Sequence, residues 1–222
     1  MKNIAILKLA TAAVALLLLG ACATKNQPFD YSAYKASRPQ SILVLPPLNN
    51  SPDVTASNSV LSAVTRPLAE AGYYVMPVSL VSKAFKENGM TQPSDMHQTS
   101  AGKLREIFGA DAAFYITVNK FGASYTVINS ETLVQVEGKL LDLKTGATLW
   151  QGAAQASSKE GEQQQQGGLA GVLISAIVKQ VLASTFDDSH RYAGTATERL
   201  LATGVPNNGL LYGPRSPNYG KD

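Results

Sequence analysis

Hydrophobic residues fall into two alternating patterns along the first half of the chain. Residues 41–45 form a short continuous apolar run that two prolines end, which predicts a strand buried on both faces. Residues 51–72 then place apolar side chains at helical spacing. This spacing predicts a helix with Ser51 as its cap, Pro52 at its first position and Gly72 at its end.

The same alternation continues through the next elements. Residues 73–76 predict a second strand, and the helix after it is predicted to end at Gly89. Its apolar face contains Leu80, Val81, Ala84 and Phe85. A polar loop at residues 90–99 precedes a third helix at about residues 100–108, which is expected to turn Leu104, Ile107 and Phe108 inward. This order of elements predicts that the first two strands are parallel.

Extended patterns dominate the middle of the chain. A strand is predicted at residues 112–120, and further extended chain at residues 125–128 and 132–143. Residues 148–151 follow a short turn that contains Gly146, so the two runs around this turn predict a β-hairpin. The sequence therefore predicts an α/β (α+β) fold with a single mixed sheet. In this sheet, parallel first strands are followed by an antiparallel meander, and helices pack on it.

The last third of the chain contains a low-complexity loop, two predicted helices and a tail. Residues 159–168 are rich in Gln and Gly, and residues 169–186 form the most apolar helical segment of the mature chain. Asp187, Asp188 and Ser189 begin a further predicted helix, which ends at Gly204. Residues 205–222 contain several prolines and glycines and are predicted to form an irregular C-terminal tail.

The first 21 residues have the properties of an export signal. Lys2 and Lys8 accompany an apolar core, and the small residues Gly20 and Ala21 come directly before Cys22. The core is too short for a stable membrane span, which needs roughly 20 apolar residues. The sequence Leu-Gly-Ala-Cys that ends at Cys22 resembles the lipobox of bacterial lipoproteins. This resemblance implies that Cys22 carries a diacylglycerol and becomes the first residue of the mature protein.

Composition agrees with an exported and anchored protein. Cys22 is the only cysteine, so lipidation explains an odd cysteine, and no disulfide stabilises the fold. Removal of the signal takes two lysines from the net charge of +3 and leaves +1, which excludes a basic surface for nucleic acid. Residue 23 is Ala, whereas an Asp after the cysteine retains lipoproteins at the inner membrane in well-studied bacteria. Membership of the outer-membrane class is therefore implied.

Residues 22–40 are predicted to be the lipidated N-terminus and a tether to a folded domain at residues 41–204. The segment contains two prolines and no long apolar period, which is typical of a linker. It also contains Phe29, Tyr31 and Tyr34, and a free linker does not need three aromatic rings. We expect these rings to pack on the domain; the alternative is a segment that binds a partner.

Few residues suit catalysis or metal binding. The two histidines, His97 and His190, are far apart in the sequence, and His190 follows Asp187 and Asp188. This cluster is either a metal site or a helix N-terminus where the helix dipole favours Asp, and we expect the second. The glycine-rich residues 167–171 lack the Lys-Ser/Thr ending of a phosphate-binding loop. We therefore expect a protein that is not an enzyme and binds no metal or cofactor.

Two apolar features are candidates for contacts with partners. Trp150 is the only tryptophan, and we expect it in the core beside the hairpin, with an exposed binding anchor as the alternative. Residues 169–186 have more apolar positions than the stripe of roughly 100° that packing on one sheet requires. Either this helix only covers its own sheet, or it also forms a homodimer interface. The predicted interface residues are Val172, Leu173, Ile174, Ile177, Val178, Val181 and Leu182.

Three motifs resemble one family of bacterial lipoproteins. They are the lipobox, the stretch SILVLPPLNN at residues 41–50 and the stretch LLYGP at residues 210–214. Together they resemble a family whose best-known member is a meningococcal surface-antigen candidate. The resemblance extends over most of the mature chain, and its motifs are structural rather than catalytic.

The predicted shape also resembles the N-terminal domain of TolB. This module recurs in the curli secretion lipoprotein CsgG and in LpoB, the lipoprotein activator of a peptidoglycan synthase. The first buried strand and the hairpin at residues 141–150 carry the resemblance. It implies a role in envelope assembly, by binding a partner or by building a complex. Together with the lipobox and Ala23, it predicts an outer-membrane lipoprotein that presents a non-enzymatic protein-binding domain, as an auxiliary component of a transport or secretion complex. The alternative is an LpoB-like activator of peptidoglycan synthesis.

Overall fold

The computed structural model of the chain describes residues 29–125, 130–160, 188–206 and 208–221. The strands in these ranges are β1 (Ser41–Val44), β2 (Leu48–Asn49), β3 (Tyr74–Val75), β4 (Ala112–Lys120), β5 (Ala123–Tyr125), β6 (Ser130–Asp142) and β7 (Thr148–Ser157). The helices are α1 (Ser32–Ser37), α2 (Ala56–Glu70), α3 (Val78–Glu87), α4 (Pro93–His97), α5 (Ala101–Phe108) and α6 (Ser189–Leu200). No helix within the described ranges has the length and apolar composition needed to cross a membrane.

The strands form one open mixed sheet. Its order is β3-β1-β4-β6-β7, in which β1 pairs in parallel with β3 and β4, and β6 pairs antiparallel with β4 and β7. Strand β2 continues the line of β1 alongside β4, and β5 continues the line of β4 alongside β6. The predicted mixed sheet, with parallel first strands followed by an antiparallel meander, is confirmed.

Two prolines divide the first strand line. Pairing of β1 with β4 reaches Val44, and parallel pairing with β4 resumes at Leu48 in β2. Pro46 and Pro47 lie between these positions and have no N–H to donate to a neighbouring strand. The apolar run in the sequence indicated the first segment of this line but not the second.

Helix α2 begins later than the sequence indicated. The side chain of Asp53 accepts hydrogen bonds from the N–H and the hydroxyl of Thr55 at 2.8 and 2.7 Å. The side chain of Asn49 accepts one from the N–H of Ser51 at 2.9 Å. These local bonds hold the segment in turns, because short polar side chains compete with the helix for backbone groups. Ser51 is therefore not the cap, and the helix begins at Ala56.

Two residues that were expected to face inward are exposed. Leu80 in α3 is 62% exposed and Ile107 in α5 is 40% exposed. Helix α3 packs through Val81 and Phe85, which are four residues apart and share one face. Leu80 is offset from Val81 by about 100° around the helix and points to solvent. The loop predicted before α5 also contains the short helix α4, which the sequence pattern did not indicate.

The sheet separates two hydrophobic clusters. Helices α2 and α6 cover one face, where Phe114 and Trp150 lie in the larger cluster. The smaller cluster contains Phe85 and Leu104 and lies on the other face, under α3, α4 and α5. Those three helices cover β1 and the beginning of β4. In the described part of the chain, no helix covers the rest of that face, and we call this surface the open sheet face.

Both ends of the described chain pack on the larger cluster. Tyr34 in α1 is buried, and its hydroxyl lies 2.8 Å from the hydroxyl of Tyr73. The hydroxyl of Tyr31 donates to the carbonyl of Gly209 at 2.6 Å, and Leu210 is buried. The expectation that the aromatic residues of the N-terminal segment pack on the domain is confirmed.

Candidate functional site

Metal-binding side chains do not cluster in the ranges that the structure describes. Within them, no group of three or more His, Cys, Asp or Glu residues is placed so that it could hold a metal ion. Asp188 and His190 lie at the beginning of α6, whereas Asp187 lies outside the described residues. Two of the surface depressions in the described ranges are candidate features instead.

The first depression, of about 630 Å³, lies on the open sheet face. Side chains of three strands in direct register line it. Tyr115 in β4 lies opposite Lys139 in β6, and Lys139 lies opposite Gln151 in β7. The remaining lining residues are Leu48, His97, Thr117, Glu137, Gly138, Gly152 and Ala153. Successive side chains of a strand point to opposite faces of the sheet. The apolar residues of these strands fill the larger cluster on one face, so the polar residues between them lie on the open sheet face.

His97, Tyr115 and Lys139 form one wall of this depression. The edge of one ring meets the face of the other between His97 and Tyr115, with ring centres 5.2 Å apart. The Nζ of Lys139 lies 5.3 Å from the centre of the Tyr115 ring, a cation–π arrangement. His97 Nε2 lies 2.9 Å from the carbonyl oxygen of Pro46. A carbonyl only accepts, so His97 carries its proton on Nε2.

The protonation states of this wall follow from its burial. Burial lowers the pKa of His97, the hydrogen bond to Pro46 raises it, and the charge of Lys139 lowers it again. The result is a pKa below the ordinary value, so the ring is neutral at pH 7. Burial raises the pKa of Tyr115, which keeps its hydroxyl protonated. The wall therefore presents one cation, two neutral rings and no activated nucleophile.

The surroundings of the depression are open and polar. The open sheet face is broad and polar, and the exposed side chains of Glu137 and Lys139 lie near Tyr115. Small-molecule sites are usually enclosed and mostly apolar, whereas protein interfaces combine aromatic residues with a polar rim. The depression thus has the open shape and polar side chains of a protein interface, and it lacks the enclosure of a small-molecule site.

The second depression lies between the two ends of the described chain and has a volume of about 350 Å³. We call it the terminal groove. Tyr73 lies at its base and donates its hydroxyl hydrogen to the carbonyl of Leu211 at 2.7 Å. The other lining residues are Tyr34, Lys35, Arg38 and Pro39 from the N-terminal segment, and Tyr212, Tyr219 and Gly220 from the tail.

Two glycines hold the tail against the domain. The N–H of Gly213 donates to the carbonyl of Ala71 at 2.8 Å, and the N–H of Arg215 donates to that of Gly72 at 3.1 Å. A Cβ atom on Gly213 would lie 2.7 Å from the carbonyl carbon of Gly72, so only glycine permits this approach. The sequence indicated residues 210–214 as a family motif, and the structure shows that they form part of this attachment.

The remaining predicted site residues have different outcomes. Trp150 is buried in the larger cluster, as expected, and its ring stacks on Phe114. Cys22 lies outside the described residues, and lipidation there stays a prediction. The predicted interface residues also lie outside them: Val172, Leu173, Ile174, Ile177, Val178, Val181 and Leu182.

Comparison with known proteins identifies close relatives. Residues 29–215 match the family model described as "Putative lipoprotein GNA1162-like". The protein "Putative lipoprotein NMB1124/NMB1162" of Neisseria meningitidis serogroup B is 45% identical over 202 residues, which cover 90% of this chain and 93% of the relative. The crystal structure of lipoprotein GNA1162 from Neisseria meningitidis has a TM-score of 0.52 at 45% identity. It covers 65% of this chain and 99% of that one.

A more distant likeness is to the C-terminal domain of LpoB from Salmonella enterica. It has 22% identity and a TM-score of 0.39, and it covers 53% of this chain and 82% of the LpoB domain. A likeness at this level supports no conclusion about partners or function.

Proposed function

Because the chain belongs to the GNA1162-like lipoprotein family, we propose that it is an outer-membrane lipoprotein anchored through Cys22. In this proposal it presents a non-enzymatic protein-binding domain in the cell envelope, as an auxiliary component of a transport or secretion complex. The lipobox supports the anchor, and Ala23 in place of Asp supports the outer membrane.

The observation that carries the binding role is the open sheet face. Tyr115, Lys139 and Gln151 lie in register across three strands, and Glu137 is exposed beside them. A rigid sheet holds these side chains in fixed positions. Binding of a partner here therefore costs little conformational entropy in this chain. Both charges can pair with a partner, which favours specific docking over non-specific adhesion.

The length of the tether limits where this partner can be. Residues 23–28 separate Cys22 from Phe29, which already packs on the domain. A fully extended chain advances about 3.5 Å per residue, so the seven steps from Cys22 to Phe29 reach roughly 25 Å at most. The domain therefore stays close to the membrane surface, and its partner is expected there too.

The anchor is tested by metabolic labelling with palmitate and by membrane fractionation of the full chain. Cys22→Ser should abolish labelling, because a hydroxyl is a much poorer nucleophile than a thiol. Ala23→Asp should keep the label but move the protein to the inner membrane where the host follows the aspartate rule. Label on Cys22→Ser would show that the anchor is wrongly assigned.

The binding face is tested with a photoreactive amino acid in place of Lys139 in cells. Lys83 in α3 is the matched control, because it is an exposed lysine of the same domain on a helix that packs away from β6 and β7. We expect a cross-linked envelope protein from position 139 and none from position 83. The same products from both positions, or none from position 139, would contradict the proposal. A peptidoglycan synthase in the product would instead favour the activator role.

We also propose that residues 169–186 form a homodimer interface, on the strength of their apolar sequence. The mature chain with Cys22→Ser is expected to sediment as a dimer at micromolar concentration, and Val178→Lys to shift it to a monomer. A folded wild-type monomer at high concentration would mean that the segment is used within its own chain.

A further inference from the structure

Arg38 adopts a backbone conformation that normally belongs to glycine. It has φ 48° and ψ 55°, and it is the non-glycine residue with positive φ in the described part of the chain. Its N–H donates to the carbonyl of Tyr34 at 3.0 Å and so ends α1. Glycine occupies such a position without strain, whereas an arginine does not. A residue other than glycine at such a position indicates that its side chain has a function.

Arg38 lines the terminal groove together with Lys35, which lies one turn earlier in α1. Both side chains are exposed, and Arg38 forms no ion pair with any residue that the structure describes. Its Nε makes only a long hydrogen bond, 3.4 Å, to the carbonyl of Lys35. The fork of the guanidinium matches a phosphate, which it can bind through two hydrogen bonds.

Tyrosines form most of the remaining wall of the groove. Tyr34 and Tyr73 are buried at its base, while Tyr212 and Tyr219 lie nearer the solvent. A volume of about 350 Å³ accommodates a small polar group rather than a folded partner. Tyrosine presents an apolar ring and a polar hydroxyl, which suits it to the boundary between lipid and water.

The position of the groove indicates the source of the phosphate. Arg38 lies 16 residues after Cys22, and α1 begins 10 residues after it. If the chain is anchored as proposed above, α1 stays within reach of the lipid headgroups. We propose that the terminal groove binds the phosphate of an anionic phospholipid headgroup, which Arg38 coordinates. This inference rests on the proposed function, since the anchor supplies the membrane.

Vesicle co-sedimentation tests the inference with the mature chain carrying Cys22→Ser, which has no acyl chain to hold it on a bilayer. We expect tighter binding to phosphatidylcholine vesicles with about a third phosphatidylglycerol than to phosphatidylcholine alone. Arg38→Gly should weaken the binding to acidic vesicles about tenfold. Removal of a basic residue that is only attracted to the surface charge weakens vesicle binding roughly fivefold or less. The loss expected for Arg38→Gly is larger than this.

Two further measurements separate the groove from general attraction and from misfolding. Arg105→Gln removes an equal charge from an exposed position on α5 and should leave binding unchanged. Arg38→Gly should not lower the melting temperature, because glycine relieves the positive φ. Equal losses in Arg38→Gly and Arg105→Gln would show diffuse attraction and overturn the inference, as would no preference for acidic vesicles.

The source of the phosphate is tested with glycerol 3-phosphate. We expect it to displace the chain from acidic vesicles only at millimolar concentration. The membrane presents many headgroups close together, so their effective concentration at the groove is high. Micromolar binding of glycerol 3-phosphate without vesicles would indicate a soluble phosphate ligand and overturn the lipid assignment. Palmitate labelling tests the anchor separately, so failure of either experiment leaves the other interpretable.

Discussion

Substitution of Gly152 by alanine should destabilise the domain, because the new methyl group would collide with the ring of Trp150. Gly138 in β6 and Gly152 in β7 lie opposite each other, and the rings of Phe114 and Trp150 lie over them. A Cβ atom on Gly152 would lie 2.5 Å from Cζ2 of Trp150, and one on Gly138 would lie 2.6 Å from Cζ of Phe114. Contacts this short require the rings to move.

Trp150 has little room to move. Its Nε1 donates to the carbonyl of Asn208 at 3.1 Å, and its ring stacks on Phe114 with centres 6.3 Å apart. Overpacking costs about 1–3 kcal/mol, and loss of the hydrogen bond costs about 1 kcal/mol more. Alanine in place of strand glycine offsets about 0.5–1 kcal/mol of this. A net loss of about 2 kcal/mol lowers the melting temperature of a chain of this size by roughly 4–8 °C.

Thermal unfolding followed by fluorescence measures this effect directly, because Trp150 is the only tryptophan. Gly194→Ala in α6 is the matched control: nothing lies within 4 Å of its new Cβ, so it should stabilise by about 0.5–1 kcal/mol. In a Trp150→Phe background, which has no tryptophan and is therefore followed by circular dichroism, the cost of Gly152→Ala should shrink. A Gly152→Ala protein with wild-type melting temperature and unchanged emission would refute the reasoning.

Three further predictions concern the core, the tail and acid stability. Thr197 is buried, and its hydroxyl has no partner among the described residues, so Thr197→Val should stabilise by about 1 kcal/mol in thermal unfolding; a lower melting temperature would reveal a partner. Gly213→Ala should release the tail and create a protease-sensitive site without unfolding the sheet, whereas wild-type resistance would contradict this. Burial alone would raise the pKa of Asp142, but hydrogen bonds, chiefly from the Ser37 hydroxyl and the turn after β6, lower it overall. Its stabilisation is therefore complete above about pH 3.9 and is lost as pH falls through the lower folded pKa; Asp142→Asn should reduce this acid dependence in unfolding curves.

The sequence predicted those parts of the fold that depend on neighbouring residues. The parallel pair β1 and β3, and the β6–β7 hairpin, follow from apolar runs and turn residues that act locally. Predicted boundaries failed where side chains competed for the backbone, as Asp53 does before α2. The candidate site was largely invisible in the sequence, since His97, Tyr115 and Lys139 have no recognisable spacing until the sheet brings them together.

The sequence by itself determined the order of the longer strands and helices and the resemblance to a lipoprotein family. Periodicity and turn chemistry are properties of consecutive residues, so a linear chain displays them. Only the tertiary structure decided which face of the sheet is left open, and that the two ends of the described chain meet in the terminal groove. It also decided that Gly138 and Gly152 make room for two rings. These features depend on contacts between residues far apart in the chain, whose geometry exists only after folding.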